Sequence, residues 1–235
     1  MNTNSPGGAI STRPLHFIWL LDCSGSMSSD GKIQALNNAI REAIPHMRVV
    51  ADENPNAEIL IRVLKFSSGA QWHVPQPTPV SSFQWTDIEA GGVTDMGKAF
   101  KMVAEQLRMP PMSERALPPV LVLVSDGQPT DDYMAGFNEL MSEPWGRKAV
   151  RISIAIGRDT DYEILQKFIG NSEMTVLEAD NPEMLVRRIR WVSTAVLQSV
   201  SSPNSQQIGT TQTVVNVPIP TTENTPTLTT GNIVW

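Results

Sequence analysis

Apolar positions follow two alternating rhythms along the chain. Largely apolar runs at residues 15–22, 57–66, 119–124 and 150–156 alternate with stretches whose apolar residues return every three or four positions. A run of strand length bounded by small polar residues predicts a strand buried on both faces, as in a parallel sheet. The longer spacing predicts amphipathic helices. The first covers 31–52 through Ile33, Leu36, Ile40, Ala43, Met47 and Val50, with Pro45 expected to kink or break it. A second starts at Thr94 and carries Met96, Phe100, Val103 and Leu107. Others are expected over 130–143 and 161–169. The last is opened by Asn181-Pro182 and faces inward through Leu185, Ile189, Val192 and Val196. A short final strand is expected at 174–177. The segment WHVPQPTPVSSFQW holds three prolines, so any strand there belongs at a sheet edge.

Strand and helix alternate throughout, which predicts a doubly wound α/β fold with helices on both faces of one sheet. With the proline-rich strand third, the expected strand order is 3-2-1-4-5-6. Three regions are expected: a loose polar leader over 1–13, the folded domain over 14–200, and a Ser/Thr/Pro-rich tail over 201–235. The tail is nearly free of charge, as a segment without a core would be, yet it ends in the apolar NIVW. That end is read as a frayed terminus or, alternatively, as a short peptide that adds a strand to a partner's sheet.

The bulk numbers narrow the functions. At 235 residues and 40% hydrophobic the chain has ample material for a core. A net charge of −6 with 18 basic residues argues against nucleic acid as a partner. No apolar run approaches membrane-spanning length, and no basic amphipathic helix points to a membrane surface. The N-terminus lacks the pattern of a signal peptide, and the lone Cys23 cannot form an internal disulfide, so a cytoplasmic setting is expected. Cys23 follows an aspartate that raises its pKa, which suits a packing residue better than a catalytic thiol.

Candidate chemistry gathers at strand ends. FIWLLDCSGSM ends the first strand at Asp22 and sets Ser24 and Ser26 at alternate positions. VLVLVSDG ends the fourth at Asp126. In the expected order these strands are neighbours across the point where the winding reverses, which is where such sheets bind ligands. The loop GGVTDMG at 91–97 can bring Thr94 alongside. The donor set is then all oxygen: Asp22, Ser24, Ser26, Thr94 and Asp126. Oxygen donors favour Mg²⁺, Mn²⁺ or Ca²⁺ over Zn²⁺, and two carboxylates are too few for a stable calcium cage, so Mg²⁺ is expected. The plain alternative for the Asp22–Ser26 segment is a capped strand-to-helix turn.

DCSGSM, GGVTDMG and VSDG, in this order and on these elements, resemble the three pieces of the metal-ion-dependent adhesion site of von Willebrand factor type A domains. All five motif positions match, and the similarity covers roughly residues 13–200. The resemblance implies a Rossmann-like three-layer fold with a mostly parallel six-stranded sheet and one antiparallel edge strand. It implies direct metal contacts from Ser24, Ser26 and Thr94, with Asp22 and Asp126 acting mainly through water. The ion would then take an Asp or Glu of a protein partner as its last ligand. Within the family the chain resembles bacterial tellurium-resistance TerY-like proteins, which implies a non-catalytic adaptor role beside a PP2C-type phosphatase and a Ser/Thr kinase, with tail threonines as candidate kinase targets.

Rival readings are weaker. GVTDMGK at 92–98 fits the start of a phosphate loop, but Ala99 replaces the required Ser or Thr and no buried strand precedes it. A phosphatase with Asp22 as nucleophile needs a carboxylate where Ser24 stands. His16, His46 and His73 suit no hydrolytic triad, and no enzymatic activity is expected. Trp19 and Trp191 are expected to pack, whereas Trp72 and Trp85 bracket the proline-rich edge and offer a metal-independent contact surface together with the tail.

Overall fold

The computed structural model describes residues 12–201 apart from Asp159. Six strands form one sheet in the order β3-β2-β1-β4-β5-β6, as the sequence pattern predicts. They are β1 (Arg13–Asp22), β2 (Ala57–Ser67), β3 (Gly69–Pro79), β4 (Val120–Ser125), β5 (Val150–Ile156) and β6 (Leu177–Ala179). All pairings are parallel except β2 with β3, so the proline-rich strand is the antiparallel edge. The expected leader and tail lie almost wholly outside the described residues, as do NIVW and the tail threonines.

The helices are α1 (Lys32–Asp52), α2 (Met96–Gln106), α3 (Tyr133–Ser142), α4 (Pro144–Lys148), α5 (Tyr162–Ile169), α6 (Pro182–Trp191) and α7 (Leu197–Ser201). A π-helical stretch, Val192–Val196, joins the last two. Two apolar layers explain the largely apolar strand runs. Leu15, Phe17, Trp19 and Leu21 of β1 pack with α1 and α6 on one face, and Ile18 and Leu20 pack with α2 and α5 on the other. No helix among the described residues is long and apolar enough to cross a membrane.

Three local expectations need correction. Helix α1 runs through Pro45 without a break. Proline costs a helix interior about 3 kcal/mol by removing a donor and crowding the preceding turn. Here Pro45 lies on the solvent side, while buried Ala43, Ile44, Met47 and Val50 hold the flanking turns on the sheet. The final strand starts at Leu177, not at 174. The backbone of Met174 is already spent, its N–H on the Asn171 carbonyl and its own carbonyl on the Gln166 amide. Helix α3 starts at Tyr133 and not at 130, because Thr130 is tied to Thr94 and Asp132 caps the helix by accepting from the Ala135 N–H.

The long segment from Val80 to Asp95 has no regular structure yet is pinned along its length. Asn37 of α1, buried, donates to the Ile88 carbonyl and accepts from the Ile88 N–H and the Trp85 indole. Arg48 holds the carbonyls of Val80 and Phe83. The segment carries Thr94 near its end, so α1 helps to fix a residue of the site across the top of the sheet.

A convergent oxygen site at the carboxyl ends of β1 and β4

Asp22 ends β1 and Asp126 follows β4, and the two strands are hydrogen-bonded neighbours. The turn after Asp22 is locked by its own residues. The Ser24 N–H donates to Asp22 Oδ1 at 2.8 Å, and the Ser24 and Ser26 hydroxyls lie 3.0 Å apart. Ser26 Oγ donates to Asp126 Oδ1 at 2.7 Å, joining the two strand ends.

Thr94 arrives on the third loop, which is stitched into place by backbone bonds. The Gly25 N–H donates to the Gly92 carbonyl, the Gly91 N–H to the Cys23 carbonyl and the Asp95 N–H to the Ser67 carbonyl. Thr94 and Thr130 form a reciprocal pair: the Thr94 N–H donates to Thr130 Oγ1, and the Thr130 N–H to the Thr94 carbonyl. Gly92 sits at φ +87°, a left-handed conformation suited to glycine. A Cβ there would lie 2.5 Å from Ser68 Oγ.

The three loops converge on a small space beside Gly127. The point that a Cβ on Gly127 would occupy is 3.6 Å from Thr94 Oγ1, 3.7 Å from Ser26 Oγ and 3.9 Å from Asp22 Oδ2. Thr94 is nearly buried, yet its hydroxyl makes no hydrogen bond among the described residues. All five residues named from the sequence therefore gather at one place. Among the described residues no group of three or more His, Cys, Asp or Glu side chains could hold a metal, so a cation here would depend on hydroxyls. The donor set, the unengaged threonine and the space beside Gly127 fit a small hard ion.

Burial pushes the Asp22 carboxyl up to about 6, against lowering hydrogen bonds from Ser125 and Ser24, with the nearby Asp126 charge adding to the rise. Cys23 is pushed up to about 12 by burial first and by Asp22 second, which leaves its thiol unreactive.

Several residues of the site are not legible in the motif positions. Ser125, fully buried, donates to Asp22 Oδ2 at 2.5 Å. Lys32 Nζ lies 2.8 Å from Asp126 Oδ2. Asp95 accepts from the Gly69 N–H and from Lys98 Nζ. Asp131 accepts from the N–H groups of Gly97 and Lys98 at the start of α2. That last carboxylate occupies the helix terminus a phosphate loop would offer, so the GVTDMGK segment is closed to nucleotide phosphate. ATP at millimolar concentration is expected to leave the melting temperature unchanged, in the wild type and in Lys98→Ala alike.

The two tryptophans of the edge are engaged within the fold. The Arg62 guanidinium stacks 4.0 Å from the Trp72 ring. Trp85 packs beside His73 and donates to Asn37.

No curated protein matches the chain at significant similarity. Solved structures share the fold at low identity. A crystal structure of the ArnB paralog VWA2 from Sulfolobus acidocaldarius is 21% identical with a TM-score of 0.57, the match covering 77% of this chain and 45% of that one. A von Willebrand factor type A protein from Catenulispora acidiphila is 18% identical with a TM-score of 0.60, covering 80% and 43%. Proximal thread matrix protein 1 of the mussel byssus, in a structure with a zinc-occupied MIDAS motif, is 16% identical with a TM-score of 0.59, covering 81% and 48%. The chain thus spans less than half the length of these proteins. A family model, von Willebrand factor type A domain, matches residues 17–189, a range that holds most of the sheet, the helices from α1 into α6, and the whole oxygen site. The chain belongs to the von Willebrand factor type A domain family.

Proposed function

We propose that this chain is a metal-dependent protein-interaction module that captures an acidic side chain of a partner. Type A domains are interaction and adhesion modules. The observation that carries the reading is the convergence of Thr94 Oγ1, Ser26 Oγ and Asp22 Oδ2 within 3.9 Å of one point, with the threonine hydroxyl unengaged. Ser24, Ser26 and Thr94 would hold a divalent ion directly, and Asp22 and Asp126 would hold it through water. The ion would supply a Lewis-acidic position that hydroxyl ligands neutralise poorly and that favours one anionic oxygen from outside. The chain's own part is to present its hydroxyls in fixed positions, which the hydrogen bonds to Asp22, Asp126 and Thr130 accomplish without any ion. Oxygen donors favour Mg²⁺ or Mn²⁺. Zn²⁺ belongs among the ions tested, since one similar structure carries it at its MIDAS motif.

The role is that of a non-catalytic cytoplasmic adaptor. Resemblance to TerY-like proteins extends the proposal to a PP2C-type phosphatase and a Ser/Thr kinase as associates in a bacterial stress or tellurium-resistance system. The test is affinity capture from the native cell. Partner recovery is expected to fail in EDTA and return with Mg²⁺, and to fail for Asp126→Ala in either buffer. A partner retained equally in EDTA would contradict the metal bridge and favour a metal-independent contact.

Gly127 offers an independent check. A methyl group there would make only ordinary van der Waals contacts, at 3.6 Å or more, but would stand between the three converging oxygens. Gly127→Ala is expected to melt within about two degrees of the wild type, a difference below 1 kcal/mol. Its Mn²⁺ affinity is expected to fall at least tenfold. Calorimetry and a metal titration on the same sample separate the two effects.

A further inference from the structure

Lys32 stands where its own helix disfavours it. It is the first residue of α1, whose first turn carries no acidic residue. The partial positive charge of a helix N-terminus repels a cation there. Yet the side chain is only 14% exposed, and its ammonium is directed at Asp126 Oδ2 at 2.8 Å. The other oxygen of that carboxylate takes the Ser26 proton at 2.7 Å, and the carboxylate has no exposed surface. Asp126 is therefore fully paired without a metal. The other cation of the neighbourhood, Lys98, is spent on Asp95.

Counting charge at the site gives this lysine its meaning. Two carboxylates, Asp22 and Asp126, and one ammonium leave one net negative charge. A divalent ion turns that into one net positive charge, and one carboxylate from outside brings it to zero. With Lys32 replaced by a neutral residue, the ion alone would neutralise the site and an incoming carboxylate would meet no excess charge.

We infer that Lys32 is the residue that sets this site's preference for an anionic partner. It competes with the ion for Asp126, lowering metal affinity, and leaves the loaded site with the positive charge that draws a carboxylate in. The inference rests on the metal-site reading above and deepens it.

The test uses Mn²⁺ as the metal and acetate as the anion, on the full chain as wild type, Lys32→Met and Lys32→Arg. Mn²⁺ affinity is read by electron paramagnetic resonance, and acetate binding by the loss of water-proton relaxation at saturating Mn²⁺. Lys32→Met is expected to bind Mn²⁺ on the order of tenfold more tightly, since a like charge a few ångströms away is removed. Its Mn²⁺-loaded form is expected to bind acetate several-fold more weakly, while Lys32→Arg stays near the wild type on both counts. Should the methionine variant fail to fold, Lys32→Gln replaces it. Unchanged Mn²⁺ affinity in the neutral variant overturns the inference and leaves the metal site standing. Tighter Mn²⁺ with unchanged acetate binding also overturns it. Absence of Mn²⁺ binding in all three proteins removes the metal site and the inference together.

Discussion

Asp22→Asn is expected to make the metal-free protein more stable and to abolish its metal binding. In the folded state the Asp22 carboxyl is raised to about 6 from 3.8, chiefly by burial. The folded protein therefore holds a proton that the unfolded chain releases between those two values. Asp22's contribution to the stability of the metal-free wild type is then most favourable below pH 4, declines as the pH rises towards 6, and stays lowered above it. A displacement of two pKa units corresponds to about 3 kcal/mol. Asparagine keeps the shape and removes the cost. Its carbonyl can accept from the Ser24 N–H as Oδ1 does, and its amide can donate to Ser125 Oγ, which now only has to turn its proton away. Urea unfolding in EDTA at pH 4, 5, 6 and 7.5 reads the effect. The wild type should lose stability relative to the variant across this range, with the variant ending about 3 kcal/mol ahead at pH 7.5. A difference between the two proteins that does not change with pH would show that the buried carboxylate costs nothing. A residue retained at such a cost makes sense where a cation repays it.

Gly136→Ala is expected to damage fold and site together, in contrast to Gly127→Ala. Helices α2 and α3 approach closely at paired glycines. A Cβ on Gly136 would lie 2.2 Å from the Gly97 carbonyl oxygen, and a Cβ on Gly97 would lie 2.5 Å from the Asp132 carbonyl oxygen. The obstacle in both cases is backbone, so the helices must separate. Overpacking of this kind costs about 1–3 kcal/mol, and backbone clashes fall at the upper end. Separation also pulls on Asp131, which holds the first N–H groups of α2, and on Thr130, which holds Thr94. A loss of about 3 kcal/mol in urea unfolding is expected, together with weakened Mn²⁺ binding although no metal-facing atom is altered. Wild-type stability in this variant would mean that the α2–α3 contact yields more easily than its backbone geometry implies.

Much of this is legible in the sequence. The largely apolar runs locate the central strands, and their order follows from the alternation of strand and helix with the proline-rich strand at an edge. That order alone brings Asp22 and Asp126 together. Ser24, Ser26 and Thr94 were legible because their spacing follows strand ends and a glycine-rich turn. Ser125 was hidden in a strand that reads as wholly apolar-facing, although it adjoins Asp126. Lys32 was hidden because a lysine at the start of an amphipathic helix looks like any solvated charge. Its role depends on where a residue 94 positions away ends its strand. Pro45 and the start of β6 went astray for a common reason. Local rules about proline and apolar runs yield to burial on one side of a helix and to side chains that claim backbone groups first.

The most direct measurement is Mn²⁺ binding by equilibrium dialysis to the wild type, Ser26→Ala and Thr94→Ala. The wild type should take up one ion per chain, and each alanine variant should lose that uptake at least tenfold while retaining the wild-type circular dichroism spectrum. Absence of uptake by the folded wild type, or equal uptake by Thr94→Ala, would contradict a metal site built from these hydroxyls.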